Sequence, residues 1–209
     1  MKDLSKLFIG LTFSAAIVAC GGTAQKENDA ETDNVTKEEV NVEQANYEIV
    51  PDESTITWAG VLMGVYTHEG TIQLEKGELE LEGDRVTGGS FVVDMSTITP
   101  TDENYNPEEG NSKEKLVEHL EGDDFFLVEE HPTAQFDITA SHDDAVEGTL
   151  TIRGVSNDAK VESISVNHEE RTVKGTLVFD RKAFNVAFTH PVQDMVVSND
   201  VKINVSLKY

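Results

Sequence analysis

The sequence predicts an all-β fold: about eight to ten short antiparallel strands closing into a barrel or a sandwich, with one short helix. Three observations carry this expectation. From Tyr47 onward, apolar and polar residues alternate with period two. Turn-forming clusters such as Glu82-Gly83-Asp84, His142-Asp143-Asp144 and Asn167-His168-Glu169-Glu170 separate the alternating runs. Only Ser112–Gly122 has helical spacing, with Leu116, Val117 and Leu120 at i, i+1 and i+4.

The chain opens differently. Lys2 and Lys6 precede an apolar run, Leu7 to Val18, that is too short for a comfortable membrane span. Residues 1–19 therefore read as a secretory signal. The run ends Ile17-Val18-Ala19-Cys20, which resembles a bacterial lipobox, and Cys20 is the one cysteine of the chain. Lipidation at Cys20 is expected, hence a membrane anchor facing the periplasm. Gly21, in place of an aspartate, favours the outer membrane. Residues 20–46 are polar, acidic and free of aromatics, so they cannot offset chain entropy by burial. They are expected to form a flexible tether, with the folded domain spanning 47–209.

Within that domain the strands follow in order. STITWAGVLM places Ile56, Trp58, Gly60 and Leu62 on one face. TIQLEKGELELEG gives Ile72 and Leu74, then Leu79 and Leu81, with a bulge or bend expected at Lys76-Gly77. GSFVVDM aligns Phe91, Val93 and Met95; TAQFDITA aligns Ala134, Phe136, Ile138 and Ala140; AVEGTLTIRG aligns Val146, Gly148, Leu150 and Ile152. A weaker strand covers Val161 to Val166. RTVKGTLVFDR gives Val173, Gly175, Leu177 and Phe179, AFNVAF gives Phe184, Val186 and Phe188, and VKINVSLKY alternates cleanly to Tyr209. Asn111 or Ser112 is placed to cap the helix and Gly122 to end it. The polar loop Thr99–Asn111 precedes it.

The helix runs straight into Phe125-Phe126. If that segment is extended, the two rings point opposite ways. One would then enter the barrel and the other lie beneath the helix.

Charge narrows the partners. Sixteen Lys and Arg against 40 Asp and Glu give −24, or −25 once residues 1–19, carrying two Lys and one Asp, are removed. Such a surface repels nucleic acid and anionic headgroups. No G-x-S-x-G, H-E-x-x-H or phosphate loop is present. The six histidines contain no i, i+3 or i, i+4 pair, so no metal site is expected from spacing. Neither catalysis nor a cofactor is expected.

The run L-x-x-H-L-x-x-x-D-F-F-x-V-x-x-x-P-x-x-x-F, Leu116 to Phe136, resembles the signature of the YceI-like family. In order with it stand Trp58-x-Gly60 through His68-x-Gly70, Gly148-Thr149-Leu150-Thr151-Ile152-Arg153-Gly154-Val155, and Phe179-Asp180-Arg181-x-x-Phe184. The resemblance covers about 47–209. It implies a lipocalin-like barrel of about eight strands with a lid helix, in which a tunnel holds a polyisoprenoid. The departures are Leu116-Val117 where many members have an Arg-Asp pair, Leu127 where an aspartate is usual, and Trp58 in place of Phe. The first two remove polar groups near the mouth.

The period-two pattern alone leaves a solid core and a cavity equally open. The resemblance implies a cavity lined by Trp58, Leu62, Ile72, Leu74, Phe91, Val93, Phe125, Phe136, Ile138, Leu150, Ile152, Leu177, Phe179, Phe184 and Val186. Small residues on the same faces, Gly60, Ala134, Ala140, Gly148 and Gly175, would leave volume unfilled. His68, His119, Asp124, Arg153, Asp180 and Arg181 are the headgroup candidates. The expected ligand is an isoprenoid or other long-chain apolar lipid, a polyprenyl or a quinone tail. A homodimer stays open. The competing expectation is an envelope stress or interaction protein whose solid barrel binds a protein partner.

Overall fold

Alternation closes the sheet. In the computed structural model, residues 44–63, 66–106, 108, 110–189 and 196–209 are described. The expected signal 1–19, Cys20 and the tether up to residue 43 lie outside the described residues. Among those described, nine strands form one antiparallel sheet: β1 (Gln44–Glu48), β2 (Thr55–Met63), β3 (Tyr66–Glu82), β4 (Arg85–Pro100), β5 (Thr133–Ser141), β6 (Val146–Ile152), β7 (Val155–Asn167), β8 (Thr172–Asp180) and β9 (Val196–Lys208). The order is β1-β3-β2-β9-β8-β7-β6-β5-β4, and β3 also pairs with β4. That last pairing closes β2 to β9 into an eight-stranded barrel and removes its free edges.

Strand β3 is long enough to serve two partners. Tyr66–Ile72 pairs with β2, and Glu78–Glu82 pairs with β1. The first strand thus begins at Gln44, three residues before the expected domain start. Between the two halves, Leu74 faces Val93 while Lys76 faces Val92, so Glu75 is an extra residue. This bulge lies one position before the expected one. It shifts the inward parity, so that Ile72, Leu74, Leu79 and Leu81 are all buried.

On β4 a larger irregularity inserts Met95 to Ile98 between Asp94, opposite Gln73, and Thr99, opposite Thr71. Local hydrogen bonds satisfy this corner. Asp94 accepts from the Ser96 amide at 2.9 Å, and the Thr97 hydroxyl accepts from the Gln73 amide at 2.8 Å. Met95 and Ile98 turn inward there and are buried.

The helix α1 (Lys113–Glu121) is where the pattern placed it. The Ser112 hydroxyl accepts from the Lys115 amide, and the Gly122 N–H donates to the His119 carbonyl at 3.3 Å. Between β6 and β7, Arg153 and Gly154 both have positive φ, 51° and 69°, which makes the tight hairpin turn of the right-handed-twist type.

One expected strand is absent. AFNVAF begins inside a 3-10 turn, Arg181–Phe184, whose Lys182 amide is capped by the Asp180 side chain. Asn185 then adopts a left-handed φ of 61°, which breaks any extended run. Phe184 and Val186 are nevertheless buried, at 2% and 0% exposure. Their i, i+2 spacing reflects a turn packed onto the barrel end, not a pleat.

Candidate functional site

The barrel interior is not filled. It encloses a cavity of about 230 Å³ touched by residues from all eight barrel strands and from the helix region. Its lining is almost wholly apolar. Gln135 and Lys174 touch it, but both sit at exposed strand positions. Ser198 and Arg181 are the other polar members.

Twelve of the fifteen expected lining residues are brought together here: Trp58, Ile72, Leu74, Phe91, Val93, Phe125, Phe136, Ile138, Leu150, Ile152, Leu177 and Phe179. Three are not. Leu62 lies near the end of β2, beyond the cavity. Phe184 and Val186 are spent on packing, with the Phe184 ring edge-on to Phe179 at 5.5 Å. Others join the lining, among them Ile56, Leu79, Met95, Ile98, Leu120, Phe126, Val146 and the β9 series Val201, Ile203, Val205 and Leu207. The strand pattern had placed most of these on inward faces. Ile98 and Leu120 carried no such signal, because the first is turned inward by the irregularity Met95 to Ile98 in its own strand and the second by helix docking.

The small residues divide. A side chain at Gly148 would strike the Phe136 ring at 2.6 Å, and one at Gly175 would strike Val161 at 2.7 Å. Those two glycines make room for neighbours instead of leaving space. Gly60 differs: a Cβ there meets nothing within 4 Å, and the residue lines the cavity.

The doubled phenylalanine also differs from expectation. Residues 123–126 form a turn, not an extended segment. The Phe125 amide donates to the Gly122 carbonyl and the Phe126 amide to that of Leu120. Both rings therefore face the cavity, 6.1 Å apart. Phe125 is further held by His119 at 4.8 Å and Phe188 at 5.3 Å. With Leu120 these rings cover the cavity at the helix end of the barrel.

The headgroup candidates have separate fates. Arg181 lines the cavity, at 3% exposure. Its Nε and two terminal nitrogens donate to the carbonyls of Ser198 (2.9 Å), Val186 (2.7 Å) and Val197 (3.3 Å). Burial lowers its pKa from the usual guanidinium range, against the opposing pull of Asp180. Arg153 does not line the cavity. It ties two loops together, donating at 2.8 Å to the carbonyls of both Phe125 and Asn185. His119 packs on aromatic rings at 4.8 Å and 4.4 Å instead of lining the cavity. Asp124 is exposed and lines nothing. Asp180, also exposed, accepts from the Lys182 amide at 2.8 Å.

His68 belongs to a latch outside the cavity. Its Nδ1 lies 3.2 Å from Asp102, whose carboxylate also accepts from the amides of Glu69 and Asn104 and from the Tyr105 hydroxyl. Burial by itself would raise the Asp102 pKa; the two amides and His68 outweigh it and hold the carboxyl below its ordinary value. Burial and the adjacent Asp102 carboxylate push the Tyr105 phenol well above its usual range. Sequence reasoning missed Asp102 and Tyr105, since nothing local marks a carboxylate that meets its partner 34 positions away.

The opposite end is closed by Tyr47 and Tyr209, with ring centroids 4.7 Å apart and the Arg171 guanidinium over both rings. The Tyr209 hydroxyl reaches His168 Nδ1 at 3.0 Å.

An eight-stranded antiparallel barrel with an apolar interior cavity, one end covered by a helix and aromatic rings, is a lipocalin-like architecture. The model of the YceI-like domain matches residues 47–209, and the chain belongs to the YceI-like family. Among solved structures it is similar to Burkholderia cenocepacia BcnA, at 20% identity over 76% of this chain and 98% of that one, with a TM-score of 0.60. A polyisoprenoid binding domain from Saccharophagus degradans matches at 9% identity over 79% and 97%, with a TM-score of 0.46. The Campylobacter jejuni YCEI protein matches at 15% identity over 90% and 99%, with a TM-score of 0.39. No curated protein matches the chain.

Proposed function

We propose that this protein binds a long-chain, isoprenoid-like lipid inside the barrel and sequesters or carries it at the cell envelope. One observation carries the reading: the interior holds an almost wholly apolar cavity lined by side chains from all eight barrel strands. Each buried CH₂ contributes about 0.8 kcal/mol, so a chain of ten or more carbons offsets an association cost of several kcal/mol without any hydrogen bond. Membership of the YceI-like family supports the same ligand class and a binding role over a catalytic one. The competing reading, a solid barrel that binds a protein partner, expects a filled interior and is less well supported by a cavity.

The envelope assignment rests on the N-terminal sequence: signal 1–19, lipidation at Cys20 and an acidic tether, with the barrel held on the periplasmic side, at the outer membrane. The test is mass spectrometry of lipids extracted from the full chain, expressed with its own leader in a bacterial envelope. A stoichiometric polyprenyl or quinone species is expected. A folded protein that carries no lipid and takes up no added isoprenoid would refute the reading.

A further inference from the structure

Arg181 is a buried charge in the cavity lining that the apolar character of that lining does not explain. Arg181 is 3% exposed, yet among the described residues no ion pair reaches it. A guanidinium has five N–H donors; three are used, all on backbone carbonyls that carry only partial charge. Burying a cation without a counter-charge is costly. In a chain with 40 acidic residues a carboxylate partner was readily available to sequence. The adjacent Asp180 is exposed and occupied with the Lys182 amide. Two of the residues that fix the guanidinium, Val197 and Ser198, line the cavity themselves, as do Phe125 and Phe126 from the same end.

We infer that Arg181 is the headgroup subsite of the cavity, and that it selects a lipid with an anionic oxygen head, carboxylate or phosphate, over a neutral lipid with the same tail. This rests on the lipid-binding reading and narrows it. The tail fills the apolar length of the barrel. The head stops at the helix end, where the remaining guanidinium donors, with no carboxylate partner among the described residues, meet its oxygens in a charge-assisted pair. The three carbonyls hold the guanidinium in place, so little rotamer entropy is lost when the head arrives.

Two head-matched pairs test it on the full chain: geranylgeranyl phosphate against geranylgeraniol, and palmitate against hexadecanol. The anionic member of at least one pair binds about tenfold tighter or more, and the pair with the larger ratio separates phosphate from carboxylate. Arg181→Met brings that ratio close to one, and Arg181→Lys keeps most of it. Because Arg181→Met also loses a clamp on β9, the wild-type ¹⁵Nε signal of the buried arginine provides a second reading. It shifts on adding the anionic lipid and not on adding its alcohol. Equal affinity within both pairs, or an unmoved arginine signal, overturns the inference and leaves lipid binding intact. Failure of all four lipids to bind overturns both.

Discussion

Arg153 shows how one side chain sets the mouth of the barrel without touching the cavity. Its guanidinium holds the Phe125 turn and the Asn185 loop through two carbonyls at 2.8 Å. Arg153→Asn keeps the left-handed backbone, which asparagine tolerates, and loses only the reach. Unfolding free energy from urea titration is expected to fall by about 1–3 kcal/mol. An unchanged midpoint would remove Arg153 from this role. Asp102 makes a prediction in pH. Its folded pKa is depressed from the ordinary 3.8, so its contribution is complete above the unfolded value and is lost as pH falls below about 4 toward the folded one. Urea midpoints measured from pH 6 to 2 should therefore drop less steeply for Asp102→Asn than for wild type. Parallel curves would mean that the latch with His68 and Tyr105 stores no proton-linked stability.

At the scale of elements, most strands were legible because each has one face inward and the period of two survives unbroken. β6 and β8 followed this rule directly, and β2 and β9 did so up to the register shift between Gly60 and Leu62. AFNVAF obeyed the same rule and is not a strand, since a capped 3-10 turn and a left-handed Asn185 deliver Phe184 and Val186 inward by another route. The Phe125-Phe126 pair misled in the complementary way: opposite directions follow only in extended backbone, and a turn sends both rings to one side. Arg181 was recognisable as a charge near a strand end, but its burial was not, because that depends on carbonyls from β9 and residue 186. The bulge at Glu75 is the element feature with the clearest consequence. Deleting Glu75 would flip either Ile72 and Leu74 or Leu79 and Leu81 to the outer face. Such a variant should not give a cooperative folding transition; a deletion protein with wild-type circular dichroism and melting would show that the bulge does not set register.

At the scale of the whole molecule, a closed barrel with no free edge buries its backbone hydrogen bonds in the wall, which frees the interior from structural duty. Two aromatic closures bound the space, Tyr47 with Tyr209 at one end and Phe125 with Phe126 at the other. Between them, a Cβ added at Gly60 meets nothing within 4 Å, so that position has open volume beside it. The most direct test compares wild type with Gly60→Leu by native mass spectrometry of the full chain purified from a bacterial envelope. Wild type is predicted to carry about one long-chain lipid per barrel, and Gly60→Leu to fold with an unchanged or higher melting temperature but arrive empty. A Gly60→Leu protein that retains the lipid as fully as wild type, or a wild-type barrel that is folded, empty and unable to take up an isoprenoid, would contradict the account.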